Sequence, residues 1–149
     1  SALDVTVQMQ VLAILDDLVS QRGMGLMFIS HDLNLVASFC DRVVIMYLGR
    51  VVEIAATVEL FTHANHPYTE ALLAEVPRLD QRKRTFAAIR GEIPSPLHPP
   101  AGCHFHPRCP HAFDRCHTER PALREIAPGH ISACHLNDEP GRRAGRVAA

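Results

Sequence analysis

The sequence has 149 residues, 47% of them hydrophobic, a formal net charge of −1 and no tryptophan, which is the size of one ordinary domain. No apolar run reaches the roughly 20 residues that span a bilayer, and the start has no basic stretch leading into an apolar one. A charge near zero argues against a nucleic-acid partner, and the only lysine, Lys83 in Gln81-Arg82-Lys83-Arg84-Thr85, excludes a G-x-x-x-x-G-K-[ST] phosphate loop.

The composition changes at residues 76–77. Up to Val76 there are 9 acidic and 3 basic residues, and beyond it 7 acidic and 12 basic. Ten of the eleven prolines, four of the five cysteines and seven of the ten histidines follow that point. Two unlike segments are expected to meet there.

In chain order, Val7, Val11, Ile14, Leu15, Leu18 and Val19 recur at three- and four-residue spacing, which predicts an amphipathic helix over 5–21. Asp4 stands at its N-cap position, and Gly23 and Gly25 supply the stop. Leu26-Met27-Phe28-Ile29 is an unbroken apolar run too short for a helix, and predicts a strand buried on both faces, as in parallel sheets. The other strands of such a sheet are expected upstream. Ser30-His31-Asp32 ends the run, and residues 32–40 predict a short helix capped by Ser30 or Asp32. Val43–Leu48 and Val51–Ala55 predict a hairpin turning at Gly49-Arg50. Thr57 is placed as the cap of a short helix through Phe61, and Pro67 in the first turn of another through Leu73. Cys40, beside Val36 and Phe39, is expected as a buried core thiol, and Arg82-Lys83-Arg84 as a solvated loop.

The second segment carries Cys103, Cys109, Cys116 and Cys134 in the spacing C-x5-C-x6-C-x17-C. Four thiolates suit tetrahedral zinc or a four-iron cluster, although the paired C-x2-C knuckles typical of zinc are missing. Two disulfides or four free thiols are the alternatives on spacing alone. A proline-rich segment of this length gains from a staple, which favours a metal. Histidines 104, 106, 111, 117 and 135 flank the cysteines, and one of them is a candidate fourth ligand in a Cys3His site.

Ser1-Ala2-Leu3-Asp4 before a helix, followed by Phe28-Ile29-Ser30-His31-Asp32-Leu33, resembles the D-loop and switch-histidine region of ATP-binding cassette (ABC) ATPases. Residues 41–53 and His66-Pro67-Tyr68-Thr69 resemble the subfamily that powers oligopeptide, dipeptide and nickel importers. The resemblance covers about residues 1–138. It implies an α/β fold: the C-terminal fragment of a P-loop ATPase domain over 1–76, a small irregular cysteine-rich extension over 77–138, and a disordered tail over 139–149. His31 would act on the γ-phosphate or the attacking water, where positioning and electrostatics carry phosphoryl transfer. The reading of the residues alone leaves it as a helix cap. Ser1 and Asp4 would couple nucleotide sites across a dimer, Asp4 being otherwise a plain N-cap.

The resemblance further implies ATP and magnesium as ligands of the full-length subunit, and a [4Fe–4S] cluster on Cys103, Cys109, Cys116 and Cys134, with zinc as the alternative. Partners would be a second ABC ATPase subunit, two transmembrane permease subunits and, indirectly, an extracytoplasmic substrate-binding protein, with no nucleic acid. The subunit would lie peripherally on the cytoplasmic face of the membrane. Phosphate loop, signature and Walker B segments precede the D-loop in that family, so this chain alone is expected to be inactive. A second reading is a stand-alone iron–sulfur or zinc module, or a partner-docking module, without ATPase function.

Overall fold

The computed structural model describes residues 5–76, 89, 91–139 and 141–142. It divides into two compact units, one ending at Cys40 and the other beginning at Asp41.

The first unit holds two helices. α1 spans Val5–Arg22 and ends as the sequence predicts. Gly23 adopts φ +61°, and the Met24 N–H reaches back to the Val19 carbonyl at 3.3 Å, the six-to-one bond of a Schellman motif. Leu12 is its buried anchor, whereas Met9 and Ile14 are more than half exposed. α2 spans Leu33–Phe39. Between the two in sequence, the segment expected as a buried strand belongs to no described sheet. Met27 is 87% and Ile29 90% exposed, because no strand lies alongside it among the described residues. Phe28 alone turns inward, its ring edge-on to Phe39 at 5.7 Å. Cys40, expected in the core, is half-buried, and its N–H closes α2 on the Val36 carbonyl.

The second unit is built on one antiparallel sheet in the order β1-β2-β4-β3. β1 (Arg42–Tyr47) and β2 (Arg50–Ala56) form the predicted hairpin, but the turn is Leu48-Gly49, one residue earlier than expected. Both turn residues have positive φ, +44° and +73°, which is the twist a two-residue hairpin requires. β1 alternates strictly, with Val43, Ile45 and Tyr47 buried and Arg42, Val44 and Met46 exposed. β3 (Arg124–Ala127) and β4 (His130–Ser132) form a second hairpin. Pro128-Gly129, with Gly129 at φ +72°, supplies its turn by the usual proline-then-glycine chemistry.

β2 pairs with β4 through Glu53↔Ser132 and Ile54↔Ile131. The break in composition at 76–77 therefore does not coincide with a break in packing. A single sheet takes strands from both sides of it, and the division between compact units falls at Cys40–Asp41 instead.

α3 (Thr57–His63) and α4 (Pro67–Glu75) follow β2. Thr57 does not cap α3. It is the first helical residue, after Ala56, and its own N–H is taken by the Asp41 carbonyl at 2.9 Å. Pro67 sits in the first turn of α4 as expected, and the cap is His66, whose Nδ1 accepts the Tyr68 N–H at 3.1 Å. α5 (Asp114–Thr118) lies between the two hairpins in sequence. The core gathers Ala55, Leu60, Phe105 and Leu136, with the Tyr47, Tyr68 and Phe105 rings mutually in contact at 4.8–5.3 Å. Arg82-Lys83-Arg84 and most of the tail lie outside the described residues.

Candidate functional site: a strand-end histidine and a four-cysteine cavity

The polar step Ser30-His31-Asp32 is ordered by its neighbours. Ser30 Oγ accepts the Asp32 N–H at 3.0 Å, and Asp32 Oδ1 accepts the N–H groups of Asn34 and Leu35 at 2.9 and 3.3 Å. Asp32 therefore caps α2, satisfying two of the donors that a helix start leaves open. His31 takes no part in that cap and stands exposed, free to meet a partner outside the described residues. Ser1 and Asp4 lie outside the described residues.

The four cysteines, which come from three different parts of the second unit, line one small cavity together with His66, His111 and His135. Gly102 starts the arrangement. At φ +64° it lets the chain turn so closely over α5 that an added Cβ would stand 2.5 Å from the Cys116 carbonyl oxygen. The next N–H, that of Cys103, donates to the same oxygen at 2.9 Å, so this turn ties Cys103 to Cys116. A 3-10 turn over His106–Arg108 then delivers Cys109, and Cys134 lies two residues beyond the end of β4.

Burial pushes the Cys103 thiol up, against backbone N–H groups of Phe105 and His106 that favour its thiolate. Cys109 is pushed up to about 12, first by burial and then by the neighbouring Cys134, Cys103 and Cys116, with the His111 N–H acting the other way. These mutual effects mark the four sulfurs as electrostatic neighbours. As they stand they are reduced and without disulfides. Among the described residues, no three His, Cys, Asp or Glu side chains are arranged ready to hold a metal ion. The donor set suits a soft metal, and deprotonating such buried thiols needs a nearby positive charge of that kind. The arrangement seen is that of four neighbouring thiols.

The flanking histidines have other work. His104 Nε2 accepts from Arg50 Nε at 3.0 Å, and burial, then the charge of Arg50, holds its ring below the ordinary histidine value. His106 Nδ1 meets the Cys103 carbonyl at 2.9 Å, and its ring lies 4.4 Å from that of His117. His135 Nε2 bonds the Glu119 carbonyl at 2.8 Å.

A second polar centre escaped the sequence reading. Glu53, 0% exposed, accepts the N–H groups of Asn65 and His66 at 2.6 and 2.9 Å and contacts His130 Nε2 at 2.7 Å. Glu59 Oε1 lies 3.5 Å from the other nitrogen of that ring. The signal was a lone acid inside the apolar run Val51-Val52-Glu53-Ile54-Ala55, which is where a buried charge demands partners.

Residues 52–116, which carry most of β2 and three of the four cysteines, match the family described as oligopeptide/dipeptide transporter, C-terminal region. The match falls within the second unit. The chain is 52% identical over 135 residues to a putative peptide import ATP-binding protein of Brucella ovis, covering 90% of this chain and 43% of that protein. It is 51% identical over 137 residues to a probable peptide ABC transporter ATP-binding protein of Sinorhizobium fredii, covering 91% and 39%. It is 45% identical over 139 residues to the oligopeptide transport ATP-binding protein AppF of Bacillus subtilis, covering 91% and 42%. Over about nine tenths of its length the chain is thus similar to peptide-import ATP-binding proteins, and it spans about two fifths of the length of these relatives.

Proposed function

We propose that this chain forms part of the ATP-binding, ATP-hydrolysing subunit that powers import of peptides, or of nickel, across the cytoplasmic membrane. The observation that carries this reading is identity of 45–52% to peptide and oligopeptide import ATP-binding proteins over about nine tenths of the chain. In such an assembly a second ATPase subunit and two permease subunits would be its partners, ATP and magnesium its ligands, and the cytoplasmic membrane face its place. No described helix is long and apolar enough to cross a membrane. Ser1 and Asp4 would couple the two nucleotide sites.

His31 is the residue assigned to the reaction. Its backbone is fixed by the Ser30–Asp32 cap while its ring stays exposed, the condition for an imidazole that donates to a phosphoryl oxygen or orients water supplied from another part of the assembly. His31→Ala in the full-length assembled transporter is expected to lower ATP turnover at least about tenfold, within the usual range for loss of an acid–base or positioning group, with assembly unchanged. Unaltered turnover overturns the assignment.

The four-cysteine cavity is proposed as the site of an iron–sulfur cluster. Cys103, Cys109, Cys116 and Cys134 would be the ligands, and the N–H groups of Phe105, His106 and His111 would stabilise the sulfur charge. Bound there, the cluster would supply a cross-link between the two hairpins' connecting segments. Anaerobic purification followed by iron, sulfide and zinc quantification decides it. Iron and sulfide lost in Cys109→Ser are expected, and stoichiometric zinc without sulfide would replace the cluster by a zinc site.

A further inference from the structure

A cleft of about 310 Å³ opens in the second unit between the β1–β2 turn, the turn at 102–105 and the segment 120–123. Its size is at the lower end of small-molecule sites, which run from about 300 to 1,000 Å³. The walls are largely apolar, with Val51, Phe105 and Leu123 among them, and among the described residues the only ionised side chains on the lining are Arg50 and Arg120. No described aspartate or glutamate lines it.

Three other arginines of this unit are paired with carboxylates. Arg115 bonds Glu119 and Asp138, Arg124 bonds Asp138, and Arg142 bonds Glu139. Neither Arg50 nor Arg120 meets a carboxylate among the described residues. Arg50 is nevertheless held in place, because its Nε donates to His104 Nε2 at 3.0 Å, which leaves its two terminal amino groups for another acceptor. A guanidinium oriented in this way presents a planar fork matched to an oxyanion. Two such cations over an apolar wall, with no acid to neutralise them, form a recognition pattern with both polar and apolar requirements.

We infer that this cleft binds a small molecule bearing a carboxylate or phosphate on an apolar body, the oxyanion being gripped by Arg50 and Arg120 and the body resting on Val51, Phe105 and Leu123. The inference goes beyond the ATPase reading and does not depend on it. Because Cys103 lines both this cleft and the cysteine cavity, an occupant would lie against the cysteine centre.

The test is titration of the full, reduced chain with four probes, followed by calorimetry and by amide NMR shifts at Gly49, Val51 and Leu123. The probes are N-acetyl-leucine, phenyl phosphate, the neutral N-acetyl-leucinamide, and acetate. Saturable binding of N-acetyl-leucine, phenyl phosphate or both is expected, with shifts at those residues, weakening at high salt, and at least tenfold weaker binding of the neutral amide and of acetate. Which of the two anions binds more tightly distinguishes a carboxylate from a phosphate source. Arg120→Gln, at an exposed position, is expected to weaken binding at least tenfold with an unchanged melting curve, and Arg120→Glu to abolish it. Equal affinity for acid and amide, no binding of either anion at millimolar concentration, or full affinity in Arg120→Gln would overturn the inference.

Discussion

At the scale of single residues, Glu53 joins parts of the chain far apart in sequence. Its carboxylate holds the Asn65 and His66 N–H groups ahead of α4 and the ring of His130 on β4. Glu53→Ala would leave three buried polar groups without their acceptor. It should cost at least about 2 kcal/mol, since each buried polar group left unsatisfied costs about 1–3 kcal/mol. Glu53→Gln, which keeps the shape and part of the hydrogen bonding, should cost less, and urea denaturation of both variants checks the order. Cys109 gives a chemical prediction. With its thiol pushed up to about 12 from 9.0, the thiolate fraction at pH 8 is about a thousandfold below that of an unperturbed cysteine, since each unit is a factor of ten. Alkylation by iodoacetamide in the metal-free chain should be slowed correspondingly, and should speed up as pH rises towards 12. The cysteine spacing was legible in the sequence as a staple, but the burial that makes Cys103 and Cys109 reluctant acids depends on separated segments closing over them. The same holds for His31. Its neighbours' short-range caps could be read from Ser30 and Asp32, while its exposure is a tertiary fact.

At the scale of elements, local chemistry was read correctly where it is self-contained. α1 stops at Gly23, α4 starts at Pro67, and the β1–β2 hairpin forms, because backbone preferences spanning two to four residues decide each. The hairpin turn is displaced by one residue because Leu48 accepts a positive φ beside Gly49, a cost that the match of turn twist to strand twist offsets. The second hairpin was hidden. Its strands have four and three residues and show no sustained alternation, and Pro128-Gly129 was the one clear mark. The run at 26–29 shows the opposite failure, in which apolar content was legible but pairing needs a neighbour. Gly102 offers the sharpest test at this level. Gly102→Ala combines a left-handed φ with a Cβ placed 2.5 Å from the Cys116 carbonyl oxygen. It should destabilise the second unit by at least about 2 kcal/mol, measured by chemical denaturation, and separate Cys103 from Cys116, measured by a loss of metal uptake. Gly129→Ala shares the positive φ without the close approach and should cost less.

At the scale of the whole molecule, the composition break at 76–77 marks a change of sequence style, while the sheet disregards it. A chain cut after Val76 keeps β1 and β2 but loses β4, and with it His130 and the cover over Glu53. It should give no cooperative thermal transition from that hairpin by calorimetry or circular dichroism. A chain starting at Asp41 and running to Arg142 retains the entire sheet and should melt cooperatively. Charge and proline counts could not reveal this, because pairing between Glu53 and Ser132 depends on register across a long connection and leaves no mark in local composition.

That pairing also sets the order of events in folding. The Glu53–His130 contact closes a loop of 77 positions, and closure on that scale must be met before the contacts it permits can stabilise anything. On the ribosome, the β1–β2 hairpin leaves the exit tunnel well before β4 exists, so its inner edge and the Glu53 carboxylate stay open to water until the last strand is made. The sheet is therefore completed only once β4 has left the tunnel, and the cysteine-bearing connection is enclosed only when β4 arrives.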